Sequence, residues 1–249
     1  MTLAQMNQAK NNLRLYKYLK KEYARNLMNN GEVYIGTLSY YRDIEDESRA
    51  DRHEGKKDIV TAIPEPIIIT NKEEWNNELP HLKGSNINYE SGNVVIEKGE
   101  HKGNDEILDA YIYCMSKKKN KELKTKFETD CIIEIFNVQG FLNAIEKELY
   151  RLGLIYPNTS SGGEIKYTGH VVSDGNKISG NWLKDSSYED ECEFRFSFIP
   201  ILHKEGIRLE PIIKNDGSAS FPRDVDAIKI EQQTIKLKPK EIQRYCRWT

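Results

Sequence analysis

The chain has 249 residues, 38% of them hydrophobic and 31% charged, which fits one large domain with a substantial core and a strongly polar surface. Lysine and arginine number 37 against 39 acidic residues, a net charge of -2. That balance excludes an overall electrostatic grip on polyanions and leaves room only for a local basic patch. No apolar run approaches the roughly 18 residues of a membrane span, and no signal-peptide core opens the chain. The four cysteines (Cys114, Cys131, Cys192, Cys246) are widely spaced with no CxxC pair, so free thiols without disulfides, a cytoplasmic location and no membrane partner are expected.

The alternation over residues 13–18 predicts a short first strand. Leu19, Tyr23, Leu27 and Met28 then follow helical spacing, and Asn29-Asn30-Gly31 supplies the stop. Val33 to Leu38 reads as a second strand. The charged stretch 42–58 reads as a loop. Asp51, His53 and Glu54 within it lack a second histidine or an i,i+4 histidine pair, so a loop that covers a substrate, or a plain solvated loop, outranks a metal site. Ile63 to Ile69, interrupted by Pro64 and Pro66, reads as an edge strand. A short helix is expected around Trp75, a hairpin joins residues 87–90 to 93–96, and 97–107 reads as polar loop.

Tyr111 to Met115 is a strongly apolar strand, followed by the lysine-rich loop 116–128. That loop reads as a solvated face or as a contact to an anionic ligand or RNA. Cys131 to Phe136 forms the next strand. Asn137 caps a helix whose face is marked by Phe141, Ile145, Leu149 and Leu152. Residues 166–172 and 177–182 suggest a hairpin around 173–176. The run 191–199 is a strand, two more follow at 207–213 and 227–230, and Pro239 to Trp248 reads as a short helix. Hairpins outnumber βαβ units, so the fold class is α+β, with mainly antiparallel or mixed sheets and three or four peripheral helices.

Three places on these elements carry chemistry. On the strand at 191–198, Cys192, Phe194, Phe196 and Phe198 point to a core, while Glu191, Glu193, Arg195 and Ser197 share the other face. Carboxylates at i and i+2 lie about 7 Å apart, close enough to perturb each other unless the arginine offsets them. The pair reads as a salt-bridge ladder or as a carboxylate pair in a cleft. Ser116 ends an apolar strand and reads as a cap or a ligand hydroxyl. Arg14, with Tyr16 on the first strand, interrupts an apolar run and calls for water or an anionic partner, either a structural salt bridge or a ligand. No Walker A loop, GxGxxG, GxSxG or HExxH motif occurs.

Arg14, then Ser116 at a strand end, then Glu191-x-Glu193 resembles the mono-ADP-ribosyltransferase fold of the arginine–serine–glutamate class. The resemblance implies one domain over residues 1–249 with an insertion around 43–105. It implies NAD as substrate, with Arg14 and Tyr16 at the NAD phosphates and first strand, Ser116 beside the nicotinamide-side ribose, Glu193 stabilising the oxocarbenium-like transition state, and Glu191 serving the acceptor. No metal is implied. The acceptor would be a protein or a nucleic acid. The class carries Ser-Thr-Ser where this chain has Cys114-Met115-Ser116, so one hydroxyl matches. The chain also resembles a widespread group of bacterial proteins with Lys184 followed by Tyr188-x-x-Glu191-x-Glu193-x-Arg195, often found in defence or mobile-element settings. That implies a toxin or phage-defence effector. The alternative is a non-catalytic module on the same fold that binds a nucleotide, an RNA or a protein.

Overall fold

The computed structural model describes residues 13–43, 56–63, 65–71, 73–74, 92–106, 109–157, 159–168, 171–173, 182–204, 207–208, 212–213, 219–220, 230 and 233–249. Eight strands build the central sheet: β1 (Leu15–Leu19), β2 (Val33–Thr37), β3 (Tyr111–Ser116), β4 (Cys131–Ile135), β5 (Ser161–Glu164), β6 (Glu193–Phe198), β7 (Thr234–Leu237) and β8 (Cys246–Trp248). Every pairing within it is antiparallel. It is accompanied by the helices α1 (Lys21–Arg25), α2 (Leu38–Asp43), α3 (Lys121–Lys126) and α4 (Val138–Arg151). The fold is therefore α+β with an antiparallel central sheet.

β3 organises the sheet. One of its edges is filled over its whole length by β6, from Glu193 opposite Ser116 to Phe198 opposite Tyr111. A strand has only two edges, so β1 and β2 must share the other. β2 takes the Tyr111–Ile112 end through Thr37 and Gly36. β1 takes the Ser116 end through Tyr16. Neither β1 nor β2 pairs with the edge at 113–115 between them, and the sheet forks. Beyond the fork β1 continues into β4 and β8, and β2 continues into β7. Lys17 reaches into the gap: its Nζ donates to the Cys114 carbonyl at 2.6 Å and sits 4.4 Å from the Tyr113 ring centroid.

One face of the sheet is the core. Leu15, Ile35, Tyr113, Met115, Ile133, Ile135, Phe194, Phe196 and Phe198 pack with Phe141, Leu142, Ile145 and Leu149 of α4. α4 exists because those apolar residues recur at helical spacing and because the Asn137 side chain accepts the Gly140 N–H at 2.9 Å, satisfying a free first-turn donor. α1 runs on into a π-helical turn over Asn26–Asn30 and stops at Gly31, whose φ of 69° is left-handed, as its sequence position predicts.

Several expectations are revised. The strand at 191–199 begins at Glu193; Glu191 ends a 3₁₀ turn over Ser186–Glu191, and Cys192 lies in left-handed backbone with φ 45°. Residues Gly99–Glu106 are a strand paired with Lys56–Ile63, because a long partner, not apolarity, holds them. Val94–Ile96 pairs with Ile67–Ile69. Lys166–Tyr167 pairs in parallel with Leu183–Lys184, and Val171–Ser173 in parallel with residues 58–60. The tail is a 3₁₀ turn over Ile242–Tyr245 followed by β8, because the free edge of β4 takes it as a partner. The lysine-rich stretch contains α3. Trp75, residues 87–90, the turn at 174–176, the strand at 227–229 and the Asp51-His53-Glu54 cluster lie outside the described residues.

Candidate functional site

The fork opens into a cleft of about 430 Å³, within the usual range of small-molecule sites. β1, β2 and residues 113–115 of β3 form its walls, and Glu191, Glu193 and Lys184 lie at its polar end. Tyrosines dominate the lining, among them Tyr16, Tyr34, Tyr40, Tyr113 and Tyr188. Gly36 is required here: a Cβ on it would stand 2.8 Å from a Tyr41 ring atom and 2.9 Å from one of Tyr40. Its absence lets both rings press against β2.

The register sets the chemistry of the polar end. Tyr16 faces Ser116 across β1 and β3, and Ser116 faces Glu193 across β3 and β6, so the three residues form one row across three strands. Ser116 Oγ donates to the Glu191 carbonyl at 2.7 Å and accepts the Lys118 N–H at 3.0 Å. The left-handed turn at Cys192 then lets Glu191 and Glu193, which belong to different elements, converge on one lysine. Lys184 Nζ lies 2.7 Å from Glu191 Oε2 and 3.0 Å from Glu193 Oε2. Glu193 Oε1 receives Arg195 Nε at 2.9 Å, and Glu191 Oε1 lies 3.3 Å from Lys126 Nζ. Lys126 also binds Asp190 at 2.8 Å. Three cations and three carboxylates thus alternate in one chain.

Lys184, Glu191, Glu193 and Arg195 are all buried. Burial by itself would push the Glu193 carboxyl up. Arg195 and Lys184, with a hydrogen bond from Cys114, outweigh it and hold the group well below the usual carboxylate range. Glu193 is therefore an anion at neutral pH. The Tyr167 hydroxyl accepts the Glu193 N–H at 2.5 Å, which fixes the strand start. The Tyr188 ring lies 4.6 Å from Lys184 Nζ and 5.5 Å from Lys126 Nζ, spanning both links of the chain. Burial pushes the Tyr41 phenol well above its ordinary value, so it remains a neutral hydroxyl near this cluster.

Of the residues singled out from the sequence, Tyr16, Ser116, Glu191 and Glu193 line the cleft together. Arg14 does not line it. Its Nη1 binds Glu134 Oε1 at 2.5 Å, toward β4, and the same carboxylate takes Arg247 of β8 at 2.9 Å. Arg14 thus makes a structural salt bridge, one of the readings open to it from the sequence, and not a contact to the cleft. From the sequence, Lys184 entered only as part of a resembled motif and Lys126 only as part of a lysine-rich loop, and Lys17 and Tyr167 had no role. The signal for Lys184 was its placement seven and nine residues before the two glutamates, which acquires meaning only once the 3₁₀ turn folds the segment back.

No family model, curated protein or solved structure matches the chain. Among the described residues no group of three histidine, cysteine or acidic side chains could hold a metal ion, and no helix is long and apolar enough to cross a membrane.

Proposed function

We propose that the cleft binds NAD and that the protein is an ADP-ribosyltransferase-like enzyme, acting as a transferase or NAD glycohydrolase. The observation that carries this reading is the row Tyr16–Ser116–Glu193 at the floor of a tyrosine-walled cleft. Breaking the nicotinamide–ribose bond develops positive charge at the ribose C1′. A carboxylate that is fixed, buried and ionised stabilises that charge without reorganising. Glu193 meets those conditions. Ser116 stands beside it for a ribose hydroxyl, and Glu191 is one residue before the turn that leads to it. The tyrosines offer faces on which planar rings stack. Phosphates would meet Lys17 and Lys20, which line the cleft, in place of Arg14.

The cationic clamp favours a second reading, a nucleotide-binding module without chemistry. Lys184 and Arg195 together offset the charge of Glu193, and turnover would require Lys184 to move off Oε2 as the ribose enters. Two measurements separate the readings. Nicotinamide release from NAD, followed by chromatography, is expected for the enzyme, with Ser116→Ala and Glu191→Gln both slower. NAD binding by calorimetry with no nicotinamide release would leave the module. Neither binding nor release would remove both.

A role as a toxin or phage-defence effector belongs to the enzymatic reading. Expression of the wild type should then slow growth of its host, and the Ser116→Ala variant should relieve it.

A further inference from the structure

The stretch 117–126 holds six lysines and one glutamate, in a chain whose net charge is -2. It is held in place by specific hydrogen bonds. The Tyr18 hydroxyl donates to the Lys118 carbonyl and accepts the Asn120 N–H, both at 2.8 Å. Ser116 Oγ accepts the Lys118 N–H, and the Asn120 side chain caps α3 by accepting the Glu122 N–H. Leu123 is buried and packs in a cluster with Tyr18 and Phe127. Lysine-rich segments left to solvent need no such anchoring.

Two of the six lysines are paired, Lys117 at the surface and Lys126 toward the polar end of the cleft. Lys117 binds Glu164 at 2.7 Å, and Lys126 binds Asp190 and Glu191. Lys118, Lys119, Lys121 and Lys124 make no ion pair with any described residue. The anchor Tyr18 and the neighbouring Phe127 also line the cleft, so the lysine rim and the cleft are continuous. At the far side of the same cleft, Tyr23 and Tyr34 stack edge to face with centroids 5.2 Å apart, and each remains about two-fifths exposed (41% and 40%).

We infer that this rim and the Tyr23–Tyr34 pair form a binding surface for single-stranded nucleic acid. A row of cations on an anchored segment follows a phosphodiester backbone, and exposed aromatic faces take unstacked bases; single-stranded binding is built from that combination. An acidic protein surface would satisfy the lysines, but the row of cations running beside exposed rings is the pairing that a strand of phosphates and unstacked bases requires. The inference does not depend on NAD chemistry. A protein that binds the strand and releases no nicotinamide loses the first reading and keeps this one.

Fluorescence anisotropy with a labelled oligodeoxythymidine of about 15 nucleotides tests it. Binding is expected, weakening between about 50 and 200 mM salt with a log–log slope near -3, the value for four phosphate contacts on a single strand. Replacing Lys118, Lys119, Lys121 and Lys124 together by alanine should bring the slope close to zero. These side chains lie on the surface, so circular dichroism should be unchanged. Tyr34→Ala should weaken binding about tenfold and leave the slope intact. No salt-dependent binding, or a slope that survives the quadruple substitution, overturns the inference. So does binding of polyglutamate as tight as that of the oligonucleotide with no effect of Tyr34→Ala, which assigns the rim to an acidic protein.

Discussion

Glu193 has every carboxylate oxygen engaged by a cation, and that shapes how the protein should respond to acid. Its folded-state pKa is depressed, by Arg195 and Lys184 acting against burial. A depressed carboxylate contributes stability that is present above the unfolded value, about 4.3, and that is lost as pH falls through the folded one. Urea stability measured from neutral pH downward should therefore drop below about pH 4, and Glu193→Gln should flatten that limb. The same substitution should lower stability at neutral pH by about 3–5 kcal/mol, because it removes the carboxylate that binds the fully buried Arg195. An acid limb that Glu193→Gln leaves unaltered would mean that other carboxylates set it. This is also why Ser116 and Glu191, not Glu193, are the substitutions of choice for testing turnover.

At the scale of elements, strong local signals were legible. α4 could be read because Phe141, Ile145 and Leu149 recur with the helical period behind a capping asparagine, and both features operate within the helix itself. Asn137→Ala should cost about 1 kcal/mol of unfolding free energy by losing the Gly140 N–H partner, measurable by chemical denaturation. β3 and the phenylalanine face of β6 were legible for the same local reason. The misread elements were those fixed by a distant partner. Gly99–Glu106 has no apolar alternation and is a strand because Lys56–Ile63 lies beside it. Cys246–Trp248 carries helix-like surroundings and is a strand because β4 has a free edge. Glu191 was placed one element too late because nothing in the sequence marks Cys192 as left-handed; glycine or asparagine would have. The site was legible to a similar degree. Ser116 and Glu193 end or begin strongly patterned strands, which is what let the sequence single out two residues that line the cleft. Lys184 sits on a two-residue strand with no pattern of its own, and its value comes from convergence across the turn. Arg14 was visible as a cation needing water or an anion, but Glu134 lies 120 residues away and nothing local distinguishes it from a ligand.

At the scale of the whole molecule, the forked sheet consists of two leaves, β1–β4–β8 and β2–β7, that meet along opposite ends of one edge of β3. The cleft lies in the angle between them. An occupant would touch both leaves at once, as a spacer bar between two hinged plates. Backbone amide exchange should then slow in places the occupant never reaches. Ile235 to Leu237 on the outer strand of one leaf and Ile133 to Ile135 in the other should gain protection together when the cleft fills. Protection confined to the cleft walls would mean that the plates are already locked. In mechanical terms the gap between β1 and β2 is a joint, and whatever fills it would stiffen the whole sheet.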